Sequence, residues 1–237
     1  MRRCPGQRKN KNQSDKGKTN KGEGPVELSE STLRSVRLYS LLVIIGCIVY
    51  AILDIIVQML PPHYSPIRQA ESDLAVGPYG FIMNINFMVR GVLSFLMVLI
   101  LSRIFPKSTA SRVGLVFLAI WSVCSFLLAF FNTDILDDPN VMPTHTWHGE
   151  LHLLFALIAF IAVAVGELVL SLSLSQTDIL KSLKAVALTL SILAILALLA
   201  MAKMHHRGGL DERLFLLFTL LWMFILALRM RSAVRRP

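Results

Sequence analysis

His145, His148 and His152 stand three and four residues apart in the stretch Thr144–His152, THTWHGELH. At about 100° per residue this spacing stacks them on one face of a helix. They head a long apolar run, Leu151–Leu174. Imidazole at the mouth of a membrane helix can ligate a metal, carry a proton or hydrogen-bond a loop. His148 and His152 form an i, i+4 pair, to which His205, His206 or Asp73 would add a third ligand. Zinc is the ion that such a set suits, because zinc hydrolytic sites use three protein ligands and a water. The metal candidates are therefore His148, His152, His205 and His206. The catalytic candidates are Ser72, Asp73, His148 and His152. HGELH does not meet the metalloprotease pattern HExxH: Gly149 follows the first histidine, and Glu150 projects away from His148 and His152. The alternative is that the histidines hydrogen-bond outer loops and Asp134 and close the mouth of a bundle.

The elements that must position these residues are membrane helices. The chain is 54% hydrophobic and 16% charged, with a mean hydropathy of +0.61. A soluble domain carries nearer 25% charge. Six apolar runs approach the roughly 20 residues that a spanning helix needs. They are Leu38–Leu60, Tyr79–Ser102, Val113–Phe131, Leu151–Leu174, Ala185–Ala202 and Leu214–Leu228. The last is short and is expected to borrow Gly208–Arg213 by snorkelling. The expected fold is all-α: a six-helix transmembrane bundle over residues 38–230, with basic tails at 1–37 and 231–237. The first tail is nearly free of apolar residues, so it cannot offset its ordering entropy and is expected to be disordered. Cys4, Cys47 and Cys124 are too scattered for a disulfide framework or a zinc–cysteine site.

Lys and Arg set the orientation. The first tail carries ten of them against Asp15, Glu23, Glu27 and Glu30. Arg103, Lys107, Arg112, Lys181, Lys184, Arg229, Arg231, Arg235 and Arg236 fall on the same side. All six histidines fall on the other. Both termini are thus expected to be cytoplasmic in a plasma (inner) membrane. Most of the net charge of +9 sits in the tails, which suits anionic lipid rather than nucleic acid. Membrane lipid is the expected partner; oligomeric state is not encoded in any motif.

Two charges lie inside the apolar runs. Asp54 is about 10 Å in from Pro61, and Arg90 about 15 Å in from Gly80, at 1.5 Å per residue. Each alone would cost a few kcal/mol, so the two are expected to form an intramembrane pair. Asn86, Arg90 and Ser94 share one helical face and make a polar seam. Glu167, late in the fourth run, is expected to snorkel or to meet Ser171.

The segment YSPIRQAESDLAVGPYGFIMNINF, Tyr64–Phe87, resembles the hallmark of a prokaryotic membrane-protein family catalogued as domain of unknown function 998. FNTD at Phe131–Asp134, the pair Gly149 and His152, and GLDERLFLLFTLLW at Gly209–Trp222 are similar to its later landmarks, in the same order. The resemblance covers roughly His63–Arg229. Asn132 stands where the family usually has proline. The resemblance implies a multi-pass membrane fold and no established activity. The residue types Ser72, Asp73 and histidine are also those of membrane hydrolases resembling the alkaline ceramidases.

The leading expectation is a membrane protein whose outward polar pocket, lined by His and Asp, binds or senses a lipid headgroup or small solute. The alternatives are a metal-dependent hydrolase acting on membrane lipid and a proton- or ion-coupled transporter. The orientation is directly testable. In a cysteine-free background, a cysteine at Asp137 should label in intact cells with an impermeant reagent. Labelling at Ser14 instead would reverse the topology.

Overall fold

The structure is a computed structural model that describes residues 1, 29–61, 63–135, 145–203 and 207–233. Most of the first tail, the end of the second, Asp137, His205 and His206 lie outside the described residues. The described residues are all-α. Six helices carry the chain: α1 Glu30–Gln58, α2 Gly80–Ile104, α3 Thr109–Leu127, α4 Trp147–Ser173, α5 Lys184–Met201 and α6 Gly208–Ala233. All six are long and apolar enough to cross a membrane, and the chain is a multi-pass integral membrane protein.

Local chemistry sets where the helices start. Hydroxyl side chains cap three of them: Ser29 accepts from Thr32 N, Ser108 from Ser111 N and Thr146 from Gly149 N. Such caps satisfy backbone donors that have no partner in the first turn. The Ser29 cap lets α1 begin at Glu30, eight residues before its apolar run, with an exposed Arg34–Glu30 contact at 3.4 Å on the projecting turns. At the other end α6 continues to Ala233, so the helical domain exceeds the expected 38–230 at both ends.

The helices pack in chain order, each against the next, and α1 closes the ring against α6. Outward faces are apolar: Ile48, Ile52, Ile55, Phe81, Phe95, Leu157 and Leu199 are all exposed. In a membrane span this is the surface that meets lipid. Inside, Trp121, Phe160 and Phe215 form an aromatic layer, with ring centroids 6.3 Å and 4.8 Å apart. One polar clasp joins α4, α5 and α6 near the opposite end from α4's start. Trp222 Nε1 donates to Ser171 Oγ at 2.8 Å, and Ser171 Oγ meets Ser191 Oγ at 2.9 Å. Replacing Trp222 by Phe should lower stability by about 1 kcal/mol, the net worth of such a bond. Thermal unfolding in detergent measures it, and an unchanged midpoint would show that the clasp contributes nothing.

Candidate functional site

At the end of the bundle where α2, α4 and α6 begin, the α1–α2 connection does most to shape the interior. Between Gln58 and Gly80 the chain does not loop out. It folds back as a short 3-10 helix, Glu71–Ala75, that packs on α2 and α6. Arg213 of α6 holds this segment from below. Its Nη1 donates to the carbonyls of Pro66 at 3.1 Å, Gln69 at 3.2 Å and Gly209 at 3.0 Å, and its Nη2 donates to the Tyr64 hydroxyl. Burial raises the Tyr64 phenol well above its ordinary range despite the opposing pull of Arg213. Tyr64 therefore stays neutral. Gly209 makes the approach possible, since a Cβ there would lie 2.1 Å from the Gln69 carbonyl oxygen.

This fold-back delivers Glu71 to the interior, where it is 2% exposed. Tyr50 of α1 donates its hydroxyl hydrogen to Glu71 Oε1 at 2.5 Å. Arg90 of α2 donates from Nη1 to the Tyr50 hydroxyl at 2.9 Å and to Glu71 Oε2 at 3.4 Å. Glu212 of α6 accepts the Glu71 backbone N–H at 3.0 Å. The Arg90 guanidinium also lies 5.0 Å from the ring centres of Phe87 and Trp121. Contacts with aromatic faces stabilise a desolvated cation. Arg90 thus pairs with Glu71 and not with Asp54, as its sequence position suggested. Tyr50 sits one turn deeper on α1 and is the α1 side chain that Arg90 meets. Asp54 instead accepts from Gln58 Nε2 at 2.6 Å. The seam of Asn86, Arg90 and Ser94 is buried along its whole length. Asn86 donates to the Tyr50 carbonyl at 3.1 Å.

Beside this network lies a cavity of about 230 Å³. Its polar lining includes Ser72, Asp73, Arg90, Asp134, His152 and Glu212, and its apolar lining includes Leu153, Ala156, Phe160 and Met201. Three of the four catalytic candidates, Ser72, Asp73 and His152, therefore share one space. His148 does not join them. It stacks on Trp147, with ring centres 3.7 Å apart, and faces a shallower hollow with Asn132, Thr133 and Thr146. The Phe131 ring packs beside it at 5.8 Å, while the Phe131 carbonyl bonds His152, contacts that an ideal helical wheel could not show. His152 is 3% exposed, and its Nδ1 meets the Phe131 carbonyl at 2.7 Å. A carbonyl only accepts, so Nδ1 carries the proton and Nε2 of the neutral ring is left as an acceptor. Among the described residues no three His, Cys, Asp or Glu side chains converge in a metal-ligating group. The other two metal candidates, His205 and His206, lie outside the described residues.

The family of proteins described as "Protein of unknown function (DUF998)" matches residues 44–229. The chain belongs to this family. No curated protein and no solved structure matches it. The match starts in α1 rather than near His63, so it takes in Tyr50 and Asp54. The landmarks that carry the resemblance meet at this one end. FNTD supplies Asp134, whose carboxylate accepts from Thr146 N and from Thr146 Oγ1, both at 2.8 Å. Those bonds hold Asp134 below its ordinary pKa. Gly149 leaves room for it, because a Cβ there would lie 2.1 Å from Asp134 Oδ2. The GLDER turn supplies Glu212 and Arg213. Far from borrowing water by snorkelling, Asp211 and Glu212 are 3% and 8% exposed.

Tyr50 gave no sequence signal beyond its type, since a tyrosine in an apolar run is ordinary. Glu71 was visible as an acid in a loop, but nothing in the spacing marked the loop as re-entrant. Glu167 differs from expectation too. It is fully buried and neither carboxyl oxygen has a hydrogen-bond partner, while Ser171 is engaged by Ser191 and Trp222.

Two outcomes follow from this geometry. Arg90→Met alone strands Glu71 in a low dielectric and should cost about 3–5 kcal/mol. The double replacement Arg90→Met with Glu71→Gln should recover part of that loss in thermal unfolding, and simple additivity would show that the two side chains do not interact. For Asp134 the sign is that of a depressed carboxylate. Its contribution is present above the ordinary pKa of about 4 and is lost as pH falls through the lowered value. Hydrogen exchange at the start of α4, corrected for intrinsic rate, should rise on acidification in the native chain. In Asp134→Asn that acid dependence should vanish.

Proposed function

We propose that this protein binds or senses the headgroup of a lipid or a small polar solute in the cavity beside Arg90. The supporting observation is that one space of about 230 Å³ gathers charged and polar groups from α2, α4, α6 and two connections. Convergent polar groups in an otherwise apolar concavity are the usual makings of a ligand site. Inward of the cavity, the aromatic layer of Trp121, Phe160 and Phe215 fills the bundle, which supports binding over conduction. The Lys/Arg asymmetry supports a cytoplasmic location for both termini, a site on the outer face of a plasma membrane, and contact of the basic tail with anionic lipid.

Filling the cavity tests this reading. Ala156 is half-buried in its wall, and Ala156→Trp should expel an occupant while leaving the bundle folded. Native mass spectrometry of the protein released from a mild detergent should show a bound mass that the variant lacks. Identical spectra for both would overturn the proposal.

A second reading, a metal-dependent hydrolase of membrane lipid, is favoured by the sharing of one cavity by Ser72, Asp73 and His152. Metal analysis of detergent-purified protein separates the two. In the hydrolase, zinc is retained near one equivalent and lost in His152→Ala. In a binding protein, neither sample holds stoichiometric metal.

A further inference from the structure

The nature of the ligand can be narrowed from the charges and openings of this cavity, and the inference rests on the binding reading above. One wall is formed by Leu153, Ala156 and Met201. Leu153 is 66% exposed on the outer surface of α4. The same side chain thus borders the cavity and the face that meets lipid, so the cavity reaches the membrane sideways between the ends of α4 and α5. On the inner wall, Arg90 is 2% exposed and its Nε has no hydrogen-bond partner. A buried donor of this kind calls for an acceptor. Yet Arg90 is the only Lys or Arg among the lining residues described, and Glu71 already holds its Nη1. Against it stand the carboxyl groups of Asp73, Asp134 and Glu212.

These charges select between headgroups. A purely anionic group would meet three carboxyls for one guanidinium that is already shared. A purely cationic group would leave Arg90 Nε unserved. A group bearing both signs answers both demands. The volume, some seven or eight waters at about 30 Å³ each, is that of a headgroup rather than a bare ion. Phe87 and Phe160 also line the cavity, but Arg90 already lies over the Phe87 ring, and the negative wall presents carboxyls with His152 beside them, which favours an ammonium with N–H donors over a quaternary one. We propose that the cavity holds the headgroup of an ethanolamine-type zwitterionic phospholipid. Its phosphate meets Arg90, its ammonium lies toward Glu212 and Asp134, and its acyl chains leave past Leu153 and Ala156.

Thermal unfolding of the full chain in a mild detergent tests this, since a ligand of the native state raises the midpoint. The probes are short-chain phosphatidylethanolamine, phosphatidylcholine and phosphatidylglycerol, and water-soluble phosphoethanolamine. Leu153→Trp blocks the side opening from an exposed position and should leave the unliganded midpoint unchanged. Phosphatidylethanolamine should raise the midpoint of the native chain saturably, more than the other two lipids do, and should lose that effect in Leu153→Trp. Equal or larger shifts with phosphatidylglycerol or phosphatidylcholine would overturn the headgroup assignment and leave the binding site standing. Equal stabilisation of both proteins by phosphoethanolamine would make the ligand a solute and overturn the lipid. If no probe acts and Ala156→Trp also releases no bound mass, this inference and the binding reading fall together.

Discussion

A guanidinium inside a membrane bundle has to be answered from within the protein, and most of the architecture around Arg90 is that answer. An unpaired charge at bilayer depth costs several kcal/mol. Here the partner comes from outside the spans. Glu71 belongs to a connecting segment that is turned back among the helices and held there by Arg213, Tyr64 and the close approach at Gly209. Non-helical backbone at this depth survives only where protein satisfies its polar groups. The Glu71 N–H bonded to Glu212, the Leu210 N–H bonded to Ile67 O and the Arg213 bonds to three carbonyls are such satisfaction. One ion pair thereby ties α1, α2, α6 and the first connection into a unit.

The same arrangement makes a cavity rather than a plug. The re-entrant helix is short, and it packs chiefly on α2 and α6. The space left beside it is lined on the far side by Asp134, which holds the Thr146 N–H, and by His152, which holds the Phe131 carbonyl. Two polar clusters, each held by its own hydrogen bonds but with Arg90 Nε left open, therefore face one another across the void. Groups that already hold their own geometry offer a ligand preorganised contacts, which is what limits the cost of binding.

The fold was legible in the sequence because bilayer thickness imposes a length on each span and hydropathy reports it directly. All six apolar runs became helices, shifted at their ends by caps such as Ser29 and Thr146. The gathering of polar residues at one end was legible as well, from Ser72, Asp73 and His152. What remained hidden depended on tertiary choice. Asp54 and Arg90 matched in depth, yet depth says nothing of azimuth, and Arg90 meets Tyr50 and Glu71 while Asp54 meets Gln58. His148 and His152 matched in azimuth on an ideal helix, yet His148 packs on Trp147 and the Phe131 ring while His152 turns to the Phe131 carbonyl. Glu71 looked like any loop acid, because re-entry is decided by carbonyls that the sequence does not display.

Glu167 marks the contrast between the two halves of the bundle. At the site end Asp54 Oδ1 and Asp211 Oδ2 have no partner, but the acids of the charged network meet donors: Glu71 has Tyr50 and Arg90, and Glu212 has the Glu71 N–H. Glu167 has none, although Ser171 is only one turn away. The serine that could have served it is spent on the Trp222 clasp that joins α4 to α6. A polar group that is common to a membrane interior can thus be consumed by helix association, worth on the order of 1 kcal/mol per bond there. Helix association and acid satisfaction compete for the same few hydroxyls. Among the described residues the competition goes to packing at the clasp end and to the charged network at the site end, where buried charge and open volume occur together.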